Sequence, residues 1–144
     1  MLSLLPLLLA AEETPAACTA VAPPPPGFAG WSTPGNRPLI GARFNVSGAL
    51  AVAGETAEEH ARGGKAAVIE IAIPRAGTYG VALSDGAWID VVRDGKALTA
   101  VGHGHGPACS GIRKIVRFAL GAGQYQFRLS GIKAASIGVM IAPQ

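Results

Sequence analysis

Apolar and polar residues alternate along most of this chain from Leu39 onward, and turn signals interrupt the alternation roughly every eight to twelve residues. The cleanest stretch, residues 124–130, sets Tyr125, Phe127 and Leu129 on one face and Gln124, Gln126 and Arg128 on the other. Residues 65–73 align Ile69, Ile71 and Ile73 before Pro74-Arg75-Ala76-Gly77 stops them. Residues 78–84 align Tyr79, Val81 and Leu83, and residues 136–142 align Ile137, Val139 and Ile141. Over residues 112–120, Val116 and Phe118 point inward if Arg113 and Arg117 face out.

Residues 87–93 and 96–101 read as a hairpin across Asp94-Gly95, a dipeptide that supplies the positive φ angles of a type I′ turn. Weaker strands are expected over 39–46 and 49–53. Residues 54–64, with Glu55, Glu58, Glu59, His60 and Arg62, read as an exposed loop or one helical turn. No segment sustains a helical period. The total is about eight strands, enough for two packed sheets of four, so the expected class is an all-β sandwich or barrel.

Composition supports this reading. With 20 Gly and 11 Pro in 144 residues, the chain suits short strands joined by tight turns. Its length is that of one domain. The net charge of +3 comes from scattered basic residues, apart from Arg113, Lys114 and Arg117. Nucleic-acid binding requires a concentrated basic stripe, so that class of partner is set aside.

Residues 2–11 form an apolar run of signal-peptide size, too short to cross a bilayer. No Lys or Arg precedes it. Cleavage after Ala11 or Ala16 fits the small residues that follow, and Pro15-Ala16-Ala17-Cys18 lacks the aliphatic residue of a lipoprotein signal. The expected organisation is a signal peptide over 1–16, a proline-rich extended arm over 17–38 and a β-sandwich domain over 39–144. A periplasmic or secreted location follows, with no membrane span in the mature chain.

In an oxidising compartment an even cysteine count favours a disulfide. Joining Cys18 to Cys109 closes a loop of roughly 90 residues, for which chain entropy gives about 4–5 kcal/mol. Pro23–Pro26 impose polyproline II on the arm, which has little apolar surface of its own and would depend on the bridge as a tether. The alternative is a free thiol at Cys109.

Ala76-Gly77-Thr78-Tyr79 and Leu120-Gly-Ala-Gly-Gln-Tyr125, with the strands around them, resemble the bacterial pre-peptidase C-terminal domain. That resemblance covers about residues 65–142 and implies a jelly-roll β-sandwich. Residues 84–93 and 103–114 also resemble a group of small exported bacterial proteins sometimes labelled homogentisate 1,2-dioxygenase. The chain is much shorter than that enzyme and lacks a recognisable His, Glu, His iron triad.

The chemistry concentrates in residues 102–114. His103 and His105 are spaced i, i+2, which on an extended backbone sets both imidazoles on one side. Histidine with the Cys109 thiolate would suit Cu or Zn, and two histidines with a carboxylate would suit Fe. Asp90 or His60 could supply a further ligand. Against this, the loop can be solvated, or its rings can pack beside Trp88. Trp88 itself reads either as sandwich-edge packing or as a stacking platform for a ligand.

Ser110 lies in Cys-Ser-Gly, not in a Gly-x-Ser-x-Gly elbow, and no other catalytic constellation stands out. Two functions remain. One is a binding or accessory module for a small molecule, glycan or protein, with Trp88, Asp90, Ser110, Arg113 and Lys114 as ligand-loop residues. The other is a metal-dependent oxidoreductase of dioxygenase type built on His103 and His105.

The mature protein is expected to begin between Glu12 and Ala17. N-terminal sequencing of protein from its native host checks this, and an intact Met1 on cytoplasmic protein would overturn export.

Overall fold

The computed structural model describes residues 17–144, so the apolar run and both expected cleavage points lie outside the described residues. In chain order the regular elements open with a short 3₁₀ helix, Ala29–Ser32. Strand β1 (Phe44–Ser47), helix α1 (Ala57–Ala61), β2 (Lys65–Ile73), β3 (Gly77–Leu83) and β4 (Trp88–Arg93) follow. The chain ends with β5 (Lys96–Ala97), β6 (Gly102–Gly104), β7 (Lys114–Leu120), β8 (Gly123–Ile132) and β9 (Ser136–Pro143).

These strands form two antiparallel sheets. One runs β1-β9-β3-β7-β6, the other β2-β8-β4-β5. The protein is therefore an all-β sandwich. Its sheets hold five and four strands rather than four each, because the His103 segment, expected to be a loop, pairs as β6 along β7.

The core between the sheets follows the period-2 pattern. Ile69 stands opposite Phe127 and Ile71 opposite Tyr125 across the β2–β8 ladder, so large side chains meet as cross-strand pairs. Tyr79, Val81, Leu83, Val116, Phe118, Ile137, Val139 and Ile141 fill the facing side. Between β4 and β5, Asp94 (φ 51°) and Gly95 (φ 75°) both take the left-handed region that the type I′ reading requires.

Three expected strands are shorter. Residues 39–46 yield only Phe44–Ser47, and residues 49–53 reduce to the single bridge Ala49↔Ala66. The second hairpin arm stops at Ala97, because the chain there leaves one sheet to reach the other.

The larger correction concerns residues 17–38. Far from lacking apolar anchors, this segment buries Phe28 completely and Trp31 almost so, in a second core with Ala82, Ile112, Ile115, Met140 and Ala142. It thereby covers the outer face of the five-stranded sheet, whose central strands are consequently buried on both sides. Gly80 makes the fit possible: a Cβ there would lie 2.7 Å from the Phe28 Cζ. Cys18 and Cys109 are joined, with their Cα atoms 5.5 Å apart, and the Ala22 amide donates to the Cys109 carbonyl at 2.8 Å. The bridge thus adds to a docked segment.

On the outer face of the four-stranded sheet sits α1. A helix of five residues does not hold alone in water. Here Thr56 and Glu59 form a capping box, the Glu59 amide donating to Thr56 Oγ1 at 3.1 Å and the Thr56 amide to Glu59 Oε1 at 3.0 Å. The same Glu59 carboxylate accepts from Arg128 Nε at 3.1 and 3.2 Å. Arg128 points away from the main core as its phase requires, yet its side chain is only 7% exposed because α1 and the preceding loop lie over it. Its Nη1 donates to Gln126 Oε1 and its Nη2 to the Ala53 carbonyl, so each nitrogen of the buried guanidinium has an acceptor.

Phe127→Ala should cost about 3–5 kcal/mol, as large-to-small changes in a sealed core do. Gln124→Ala, on the exposed face of the same strand, should stay within about 0.5 kcal/mol. Urea melts of the two variants check the strand phase, and equal losses would contradict it.

Candidate functional site

Trp88 opens β4 and stands opposite Ser130 of β8, with its side chain directed outward and 54% of the residue exposed. It belongs to neither core. Its ring is held instead by two cations. The Arg62 Cζ lies 4.8 Å and the Lys114 Nζ 5.2 Å from the ring centroid. Contacts of this kind contribute about 0.5–1 kcal/mol each at exposed sites. Gly131 leaves room for the ring, since a Cβ there would approach Trp88 Cδ1 to 3.1 Å.

Arg62, just past the end of α1, is the residue that organises this corner. Its Nη1 donates to Asp90 Oδ2 at 2.6 Å and to Ser130 Oγ at 2.8 Å, and its Nη2 donates to Glu58 at 3.2 Å. Burial works against its charge, but Asp90 and Glu58 outweigh that and raise its pKa above the ordinary value. Asp90 is consequently a mid-strand ion-pair partner, not a turn former.

Lys114 crosses the end of the sandwich from the other sheet. Its Nζ donates to the Ala87 carbonyl at 3.0 Å. Burial lowers its pKa first, the nearby Arg62 charge lowers it further, and Asp90 opposes both.

Beyond Lys114 a cavity of about 240 Å³ is lined by Gly86, His103, Gly104, His105, Arg113 and Lys114. Both imidazoles are exposed and face this space, and His105 Nδ1 sits 3.1 Å from the Arg113 carbonyl oxygen. Five residues of the 102–114 segment therefore converge here, with Trp88 and Asp90 adjoining them through Lys114 and Arg62.

The rest of that segment lies elsewhere. Cys109 is consumed by the disulfide and offers no thiolate. Ser110 is buried; its hydroxyl donates to the Pro107 carbonyl and accepts from the Ile112 amide, which fixes the turn. Both line a separate cavity beside Trp31 and Arg43. His60 lies on α1, away from the lining of this cavity, with its Nδ1 3.5 Å from Glu55 Oε2. Among the described residues no three His, Cys, Asp or Glu side chains are arranged to hold a metal ion.

On the outer face of the four-stranded sheet, two cavities of about 750 and 460 Å³ share Val92, Gly95 and Gln126. Acidic groups dominate their charged lining: Glu70, Asp94, Glu58, Glu59 and Asp90, against Arg128 alone. Basic and acidic surfaces thus meet at the Arg62–Asp90 pair.

Arg62, Ser130 and the Glu59–Arg128 pair were not among the residues expected at the site. One signal was present: Thr56-Ala57-Glu58-Glu59 has capping-box spacing, and Glu58 and Arg62 are four apart on one helical face.

Burial alone would raise the Glu59 carboxyl pKa, but the Arg128 hydrogen bonds, the Thr56 amide and the Arg128 charge together hold it below the ordinary value. A lowered folded-state value means that the pair stabilises the fold when Glu59 is ionised. Glu59→Gln should therefore cost about 3 kcal/mol at neutral pH. That difference should persist down to about pH 4.3, the ordinary carboxyl value, and shrink as pH falls through the lower folded value. Paired urea melts at neutral and acid pH check the sign.

Compared with protein-family models, curated proteins and solved structures, the chain gives no match.

Proposed function

We propose that this protein is an exported binding or accessory module whose functional surface is the sandwich end carrying Trp88, Lys114, His103, His105 and Arg113. The observation that carries the reading is the half-exposed Trp88 ring, contacted by Arg62 and by Lys114, the latter of which also lines the neighbouring cavity. A large aromatic left in water but held rigid loses little conformational freedom on binding, which suits a recognition platform. The partner is a small molecule, glycan or protein met in the periplasm or outside the cell. A jelly-roll connectivity is part of the proposal, supported by the way successive strands alternate between sheets in the orders 1-9-3-7 and 2-8-4-5. That connectivity accords with the pre-peptidase C-terminal resemblance.

A metal-dependent oxidoreductase of dioxygenase type is the second reading, favoured by one observation: His103 and His105 face one cavity. The donor set does not fit it. An iron site of that kind needs a carboxylate beside two histidines. Asp90 is already ion-paired to Arg62, and the cavity lining contains no acid.

Two measurements separate the readings. Titration of the mature protein with a panel of sugars, organic acids and peptides, followed by amide NMR, should perturb residues around Trp88 and Lys114. Trp88→Ala should weaken that binding about tenfold or more while leaving the fold intact. Metal analysis of protein purified from its native compartment should give no stoichiometric Fe, Cu or Zn. A stoichiometric metal lost in a His103→Ala/His105→Ala double variant would instead establish the oxidoreductase reading.

A further inference from the structure

Four basic or potentially basic side chains line the 240 Å³ end cavity, and no carboxylate does. Among the described residues, neither Arg113 nor Lys114 has a carboxylate within 4.0 Å. Two cations line one small space with no carboxylate between them, and an anion placed there would be attracted by both. On its Trp88 side Lys114 meets a further cation, Arg62, which together with burial disfavours its protonated form while Asp90 opposes both.

Next to this cavity, Trp88 offers a partly open aromatic surface that Lys114 connects to it. On the far side of Arg62–Asp90 the charge reverses, and Glu58, Asp90, Glu70 and Asp94 line the sheet groove. A polyanion lying across both surfaces would meet repulsion in the groove. A ligand with a single acid group would not.

We infer that this cavity is a subsite for one carboxylate carried on a small ring, with the ring packed against Trp88 and the acid group held by Arg113 and Lys114. The guanidinium of Arg113 supplies the planar fork that pairs with a carboxylate, and Lys114 supplies a point charge. His103 lines the same space and can add a ring N–H donor, while His105 turns its Nδ1 to the Arg113 carbonyl. Two sources share this chemistry, an acidic monosaccharide and an aromatic acid. This inference rests on the binding-module reading and names its ligand class.

The test is calorimetric titration of the mature, disulfide-bonded protein with glucuronate and with benzoate, using glucose and benzyl alcohol as neutral counterparts. At least one acid should bind, more weakly as salt is added, while its neutral counterpart does not. Arg113→Gln, an exposed change that leaves the fold intact, should weaken binding about tenfold, as loss of a charged hydrogen bond does. Arg113→Gln/Lys114→Met should abolish it, whereas Arg117→Gln, outside the cavity, should leave it unchanged. Whichever acid binds identifies the source.

Binding of a neutral ligand through Trp88 with no response to either acid would overturn the carboxylate subsite while leaving the binding module standing. Tighter binding of oligogalacturonate than of glucuronate would overturn the single-charge argument. Silence from both acids in the folded protein would also overturn the subsite, and the broader ligand panel would then decide the module reading separately.

Discussion

The buried Glu59–Arg128 ion pair is the contact on which the arrangement of residues around Trp88 depends. Arg128 projects from the middle of β8 onto the outer face of its sheet, where a lone guanidinium would normally sit in water. Here it is sealed over, which is tolerable because each guanidinium nitrogen finds an acceptor and the charge finds a carboxylate. Glu59 also closes the capping box of α1, so a single side chain both starts that helix and fastens it to the sheet. Arg62 follows one turn later. It can reach Asp90, Ser130 and Trp88 only because α1 is fixed in this position.

The opposite face of the molecule obeys a different constraint. The five-stranded sheet is apolar on both sides, through Val81 and Leu83 inward and Ala82, Met140 and Ala142 outward. Its outer side must be covered, and residues 17–38 cover it with Phe28 and Trp31. The disulfide joins that cover to the 102–114 segment, ahead of the turn fixed by Ser110. One end of the segment is thereby rigidly held, while its other residues, His103 and His105, face an open cavity.

Charge is divided with similar economy. The sandwich end is basic and the adjoining groove acidic, and the boundary between them is a short, strong ion pair that also supports the exposed Trp88.

The sequence by itself determined the strand-rich class, the inward faces of β2, β3, β8 and β9 and the Asp94-Gly95 turn, and it favoured the pairing of its two cysteines. Each of these is a local or compositional property. Alternation is built into an extended backbone, a type I′ turn needs positive φ at two adjacent residues, and two cysteines allow one pairing. Only the tertiary structure decided which outward faces meet water. Period-2 alternation assigns Arg128, Ala82 and Met140 to an outer face, but cannot say that α1 covers the first and Phe28 the others. Nor could spacing bring Arg62 and Lys114, 52 residues apart in sequence, to the same indole ring. Those contacts arise where two sheets and a short helix close on each other, and their energies depend on burial that no local pattern records.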